Sequence, residues 1–399
     1  MQPLRILTFS SLFPHPAHPT HGIFVAERLR HLVGSGQVDV RVVAPTPWFF
    51  VTHPKLNKYA WLGEQAPQRE QRDGLEVLHP RYLLIPKIGM SSAPFFLAAG
   101  AMRGVRTLLQ EGFDFDLIDA HYFFPDGVAA LLLGQYFRKP VVITARGSDL
   151  NQIPQYRVPR AMIRYTAQRA AGLITVSTAL QEVLVKMGIA ASKVTVLRNG
   201  VDLERFFPVD RELARKRLGL TRPTLLSVGF LIDRKGHDLV IRALLELPGM
   251  DLLIIGDGPR REALQALPAV LGLADRVRFV GEIPQEQLRE YYSAADMLVL
   301  ASSREGWANV LLESMACGTR VVATHVWGAP EAVTAPEAGL LFDQRTPSAI
   351  AKAVRMALQM PHNPAATRRY AERFSWEDTT QGQLTLFRKI IEREKGHLS

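Results

Sequence analysis

Cysteine is nearly absent: the 399-residue chain has one, Cys317. A single thiol excludes an internal disulfide framework and offers no zinc-ligand spacing, so it reads as a small packing residue suited to a reducing compartment. Long apolar runs are missing as well. No segment reaches the roughly 18 uninterrupted apolar residues of a membrane span. The opening MQPLRILTFSSLFPHP lacks the charged and apolar regions of a secretory leader, and LRILTF reads as a first β-strand. A cytoplasmic protein is expected. There is no low-complexity tract and no short-period repeat, which leaves an ordinary globular chain, too long for one core and better read as two domains.

Acidic residues are in short supply, and unevenly so. The net charge is +10; residues 1–205 hold 23 Lys+Arg against 15 Asp+Glu, and residues 206–399 hold 25 against 23. A basic first half suits an anionic partner or simply a basic surface. Nucleic acid is not expected: no RRM, KH or helix-turn-helix pattern is present, and aromatics are not interleaved with the charge.

What the sequence has in abundance is short Val/Ile/Leu runs separated by amphipathic stretches. The first half gives LRILTF, VDVRVVAP, FDLIDAHY, PVVITARG, GLITVS and KVTVLRN; the second gives TLLSVGF, DLLIIGDG, VRFVG, DMLVLAS, RVVATH and GLLF. Continuous rather than alternating apolar runs indicate strands buried on both faces, hence parallel α/β sheets. The rhythm breaks at 203–222, where the linker is placed. The expected architecture is two tandem doubly wound domains, 1–205 and 206–375, facing a cleft at their strands' carboxyl ends. A last segment, 376–399, reads as a helix that crosses back to the first domain.

Three stretches could carry chemistry. In SVGFLIDRKGHDL, Lys235 follows a strand and is placed to neutralise phosphate, although an Arg-Lys pair in a loop is ordinarily solvated surface. In LLIIGDGPRREAL the third glycine of a dinucleotide fingerprint is replaced by Arg261, so a dehydrogenase is poorly supported. In REGWANVLLESMACG a turn precedes a helix whose first amides would be free to hold an anion. Glu305 and Glu313 there are costly to bury unpaired, and carboxylates suit sugar hydroxyls.

Taken together, EGWANVLLE with its E-x7-E spacing, VGFLIDRKG, GDGP, VRFVGEIP, NGVDLERF, HGIFVAERLRHL, DAHYFFPDG and TARGSD resemble the family 4 retaining glycosyltransferases of the GT-B fold. The resemblance spans most of the chain and points most to members that build bacterial teichuronic-acid or exopolysaccharide surface polymers. It implies an acceptor-binding first domain, a nucleotide-sugar-binding second domain, and a hexosyltransferase reaction retaining anomeric configuration. The donor would be a UDP- or GDP-sugar, with no obligatory metal or other cofactor, and the acceptor a saccharide or lipid-linked saccharide. Peripheral contact with an anionic membrane is expected from the basic PRAMIRYTAQRAAG and the apolar MSSAPFFLAAGAMRGVR.

The resemblance also assigns residues. Glu305 would contact the donor sugar and Glu313 the ribose, while amides at Asn309, Val310 and Leu311 hold the distal phosphate. Lys235 would stabilise the departing diphosphate, and Val280, Gly281 and Glu282 would border the base. Gly22 would let its loop approach the phosphates, and His121 would line the sugar pocket. Two positions depart from the pattern. Phe230 stands where many relatives have a phosphate-clamping Arg, leaving Arg234 as the nearest substitute. Arg146 stands where many have His; it either recognises an acidic acceptor or pairs structurally with Asp149. The histidines of HPAHPTH read as a mobile loop, and Trp307 as packing at a helix start. The alternatives are a sugar-nucleotide epimerase and a non-catalytic partner subunit of the same fold.

Overall fold

The apolar runs fold as strands. A computed structural model describes residues 3–50, 61, 63–85 and 89–398. The chain divides into one unit of Met1–Arg198 with Glu377–Ser399, and a second of Asn199–Trp376.

In the first unit the strands are β1 (Leu4–Phe9), β2 (Val38–Val43), β3 (Thr46–Trp48), β4 (Arg69–Arg72), β5 (Leu75–Leu78), β6 (Arg81–Leu83), β7 (Leu117–His121), β8 (Val141–Ala145), β9 (Gly172–Thr175) and β10 (Val194–Val196). Eight of them form one sheet in the order β10-β9-β8-β7-β1-β2-β5-β4, and β3 pairs with β6 separately. All pairs are parallel except β4 with β5. That edge hairpin turns on Asp73 and Gly74, both at positive φ (49° and 78°), the backbone that a tight two-residue turn requires.

The second unit has β11 (Thr224–Val228), β12 (Asp251–Ile255), β13 (Val277–Gly281), β14 (Met297–Leu300), β15 (Val321–Thr324) and β16 (Gly339–Phe342). They form an all-parallel sheet, β13-β12-β11-β14-β15-β16. Central strands β11 and β14 are buried along their whole length, as sheets covered by helices on both faces demand.

The chain order reverses between β1 and β7 in one sheet and between β11 and β14 in the other. At such a switch point the loops leaving two adjacent strands diverge to opposite faces and open a crevice. The loops after β1, β7, β11 and β14 carry HGIFVAERLRHL, DAHYFFPDG, VGFLIDRKG and EGWANVLLE.

The helix Trp376–Leu398 belongs to the first unit over most of its length. Its Leu384, Phe387, Ile390 and Ile391 join the core of Ile6, Val142 and Ile174. The helix Ala93–Gln110 corrects one expectation. MSSAPFFLAAGAMRGVR does not offer an apolar surface: Leu97, Ala98, Ala101, Val105 and Leu108 are buried, because the helix covers a sheet face. Phe95 on the helix and Met90 before it are the exposed large apolar residues of this stretch among those described.

Candidate active site

The second unit's crevice is built by three loops that interlock through glycine. After β11, Gly229 lies against the Lys235 side chain, and a Cβ there would touch its Cε at 3.4 Å. Opposite runs the Gly-Asp-Gly loop after β12. A Cβ on Gly256 would meet the Gly229 carbonyl oxygen at 2.1 Å, and one on Gly258 the Leu231 amide nitrogen at 2.7 Å, so only glycine permits this approach. The Leu231 amide donates to Asp257 O (2.8 Å) and the Arg260 amide to Leu231 O (3.0 Å). These glycines therefore serve loop packing.

The loop after β14 brings Glu305 to Lys235. Lys235 Nζ lies 2.7 Å from Glu305 Oε1, Ser302 Oγ donates to the same oxygen at 2.6 Å, and Arg234 Nη1 is 3.5 Å from Oε2. Glu305 is only 5% exposed. Burial would raise its pKa, but the Lys235 and Arg234 cations and the two hydrogen bonds hold it below the usual carboxylate range. Arg345, which sequence reading did not single out, braces the cation-bearing turn by donating to Ala301 O and Asp233 O, each at 2.7 Å. Its distance in sequence, 112 residues from Asp233 and 44 from Ala301, left no local signal.

Glu313 sits in the helix Asn309–Ala316, 8% exposed, and accepts from the Tyr292 hydroxyl at 2.8 Å. The two glutamates have different surroundings, one ionic and one phenolic. Of the three amides expected to be open at this helix start, Leu311 already donates to Ala308 O at 3.0 Å. That closes a 3₁₀-type turn and leaves the first-turn amides of Asn309 and Val310 for an anion. Asn309 Oδ1 also accepts from Asn199 Nδ2 at 3.2 Å. Trp307 is buried and packs on Phe374 with ring centroids 6.0 Å apart. Phe230 is 57% exposed. At the end of β13, Val280 and Gly281 are half-buried and Glu282 is exposed, while Gly281 O accepts from the Gly256 amide.

The first unit has its own switch-point cluster. Gly22 begins the helix Ile23–Gly34 at φ 66°, and a Cβ there would lie 2.2 Å from Leu12 O, so the residue is sterically fixed. Asp126 accepts from the Ser11 amide and from Ser11 Oγ; burial pushes its pKa up to about 7. His121 is fully buried with both ring nitrogens engaged. Nε2 lies 3.2 Å from Asp119 Oδ2, and Nδ1 lies 2.7 Å from Arg146 Nη2. An arginine can only donate, so Nδ1 accepts and Nε2–H points to Asp119. A direct sugar contact by His121 would require it to give up one of these partners.

Arg146 meets Asp149 through its backbone amide, at 3.1 Å from both carboxylate oxygens. The Asp149 carboxylate accepts the backbone amides of Phe123, Arg146 and Gly147, while the Arg146 guanidinium goes to His121 and lies over the Phe24 ring. The histidines of the HPAHPTH loop make contacts of their own. His15 and His18 form a backbone bridge, His18 stacks on His21 at 4.8 Å, and His15 meets His79 edge-on.

Buried His15, His121 and His237 and half-buried His21 have pKa values lowered to about 4, with desolvation the largest cause in each. His237 is additionally opposed by the Lys235 cation. Between about pH 6.5 and 4 the unfolded chain takes up protons at these positions that the folded chain does not, so stability rises with pH. Urea midpoints should therefore fall steeply from pH 7 to 5. A flat profile over that range would mean these rings are not held neutral.

The comparisons with known proteins place the chain among the glycosyltransferases. Residues 21–205 match the family described as Glycosyltransferase Family 4, and residues 210–374 match Glycosyl transferases group 1. The chain belongs to this family of GT-B glycosyltransferases. It is 29% identical to the "Putative teichuronic acid biosynthesis glycosyltransferase TuaC" of Bacillus subtilis (strain 168), over 88% of each chain. It is 32% identical to the D-inositol 3-phosphate glycosyltransferase of Acidothermus cellulolyticus, over 69% of this chain and 68% of that one. Among solved structures, Anabaena Alr3699/HepE in complex with UDP-glucose superposes with a TM-score of 0.71 at 20% identity, covering 98% of this chain and 99% of that one, which shows the fold.

Proposed function

We propose that the protein transfers a hexosyl group from a UDP- or GDP-sugar to a hydroxyl of a saccharide or lipid-linked saccharide, with retention at the anomeric carbon, in surface-polysaccharide synthesis. The observation that carries the reading is the Lys235–Glu305–Arg234 cluster beside the helix start at Asn309. The ammonium and the amides of Asn309 and Val310 supply positive potential for a diphosphate, Glu305 orients the cations and reaches the sugar, and Glu313 receives the ribose hydroxyls. Val280, Gly281 and Glu282 border the base through backbone. The UDP-glucose complex of the Anabaena neighbour and the teichuronic-acid relative support this choice of donor and product class.

In this reading no carboxylate attacks the anomeric carbon. The departing phosphate oxygen takes the acceptor's proton on the same face, and the protein contributes orientation and leaving-group stabilisation. Arg234 stands in for the clamp absent at Phe230. Gly22 gives its loop access to the phosphates, while His121 with Arg146 and Asp149 shapes the acceptor side of the first domain, 1–205. Residues 206–375 form the donor domain, and 376–399 return to the first. Peripheral contact with the inner leaflet brings a lipid-linked acceptor within reach; among the described residues no helix is long and apolar enough to cross a membrane.

Calorimetric titration with UDP, GDP and ADP tests the donor site. One nucleotide should bind in the micromolar range, and the Lys235→Ala variant should lose most of that affinity. If none binds, the donor assignment is wrong and the partner-subunit alternative gains.

A further inference from the structure

The first unit carries a cationic pocket away from the switch-point crevice. It encloses about 250 Å³ and is lined by Arg160, Arg164, Lys186, Met187 and Gly188. Two helices make it. Arg157–Arg169 supplies Arg160 and Arg164 one turn apart on the same face, and Thr178–Lys186 supplies Lys186 at its last position. The first of these helices, RVPRAMIRYTAQR, has four arginines and no acid. Like charges at i,i+4 destabilise a helix, so the pairing of Arg160 with Arg164 is a local conflict that folding alone does not require.

The neighbourhood does not resolve that conflict. Neither Arg160 nor Arg164 has an ion pair or side-chain hydrogen bond among the described residues. Lys186 has only a loose, exposed contact with Glu182 at 3.6 Å. The end of the helix Thr178–Lys186 attracts cations through its dipole, yet neither arginine bonds a carbonyl there. Gly188, at φ 86°, closes that helix end, and a Cβ on it would lie 3.8 Å from Arg164 Nη2. The absence of a side chain keeps the pocket floor open. Exposed Tyr156, Val158 and Tyr165 are carried by the Arg160–Arg164 helix and the residue preceding it.

We infer that this pocket binds a phosphomonoester or diphosphate group, with the two guanidinium planes and the Lys186 ammonium sharing its oxygens. Guanidinium forks match phosphate geometry, and three converging cations favour a group of two or more negative charges over a singly charged one. The phosphate could belong to a lipid headgroup or to a soluble phosphorylated compound. The inference does not depend on the donor site.

The test compares the full chain with its Arg160→Ser/Arg164→Ser variant, whose exposed positions leave the core untouched. Inorganic pyrophosphate is titrated by calorimetry, and both proteins are co-sedimented with phosphatidylcholine vesicles containing phosphatidic acid. The difference between the two proteins isolates this pocket, since both keep the Lys235 region. Each cation is worth about 1 kcal/mol at an anionic surface, so the double variant should bind about thirtyfold more weakly. If vesicle binding falls by that factor and pyrophosphate competes, a lipid phosphate is the ligand. If pyrophosphate binding falls and vesicles bind neither protein, the ligand is soluble. Equal pyrophosphate and vesicle binding by the two proteins overturns the inference. Failure of the donor reading would show separately, in the nucleotide titration of Lys235→Ala.

Discussion

Lys235→Ala is expected to lower turnover by about 10²- to 10³-fold, the scale of losing one preorganised electrostatic donor at a leaving group. The structure adds a second consequence. Lys235 and Glu305 are both largely buried at 2.7 Å, so removing the ammonium leaves Glu305 with Ser302 and the more distant Arg234. Breaking such a pair costs about 3–5 kcal/mol, because the remaining charge stays desolvated. The two effects separate in a double variant. Lys235→Ala/Glu305→Gln should recover much of the lost unfolding free energy while remaining inactive. Turnover of the single variant within a few-fold of wild type would place Lys235 outside the chemistry.

Asp119→Asn is the second large effect, and it concerns the other unit. Asp119 is fully buried, lies 3.2 Å from His121 and accepts from Gln383 Nε2 at 2.9 Å. Gln383 in turn accepts from the buried Arg28. Burial would raise the Asp119 pKa, but His121, Arg28 and Arg146 together bring it below the ordinary value. An asparagine keeps the shape and the Gln383 contact but removes the charge that offsets the buried Arg28 guanidinium and, together with Asp149, that of Arg146. We expect a loss of about 3–5 kcal/mol in urea unfolding. The carboxylate's contribution is present above the normal Asp range and disappears as pH falls through its depressed folded value. The wild type should therefore approach the variant's stability in strong acid. An unchanged urea midpoint at neutral pH would mean the guanidinium charges are relieved by solvent.

Which parts of this were legible in the sequence follows from the range of each interaction. The apolar runs from LRILTF to GLLF all became strands, because burial on both faces leaves a continuous local signature. The hairpin strands Arg69–Arg72 and Leu75–Leu78 and the short pair Thr46–Trp48 and Arg81–Leu83 were not visible. REQR lies at an open edge, where backbone pairing demands no apolar pattern. Lys235 and Glu305 were identifiable as types in motif-bearing loops. That they meet depends on the sheet order, which places β11 beside β14.

The glycine loop shows the same division. Gly256 and Gly258 suggested a tight turn, and the structure assigns them to close packing against Gly229 and Leu231. For Arg146 the sequence offered a choice between acceptor and Asp149. The fold sends its guanidinium to His121 and lets backbone amides satisfy the carboxylate, which only the meeting of the β7 and β8 ends could arrange. The histidines of HPAHPTH had no helical or strand spacing, and their stacking needs His79, which no local pattern connects to them.

By itself, then, the sequence determined the α/β class, the repeated parallel sheets, the returning terminal helix and the chemical types in each loop. These are written in periodicity and composition, over stretches a few residues long. Tertiary structure alone decided which charges pair, which amides stay open and which histidines stay neutral. Those outcomes depend on side chains tens to hundreds of residues apart sharing a low-dielectric interior, where an ion's energy is set by the neighbours the fold supplies.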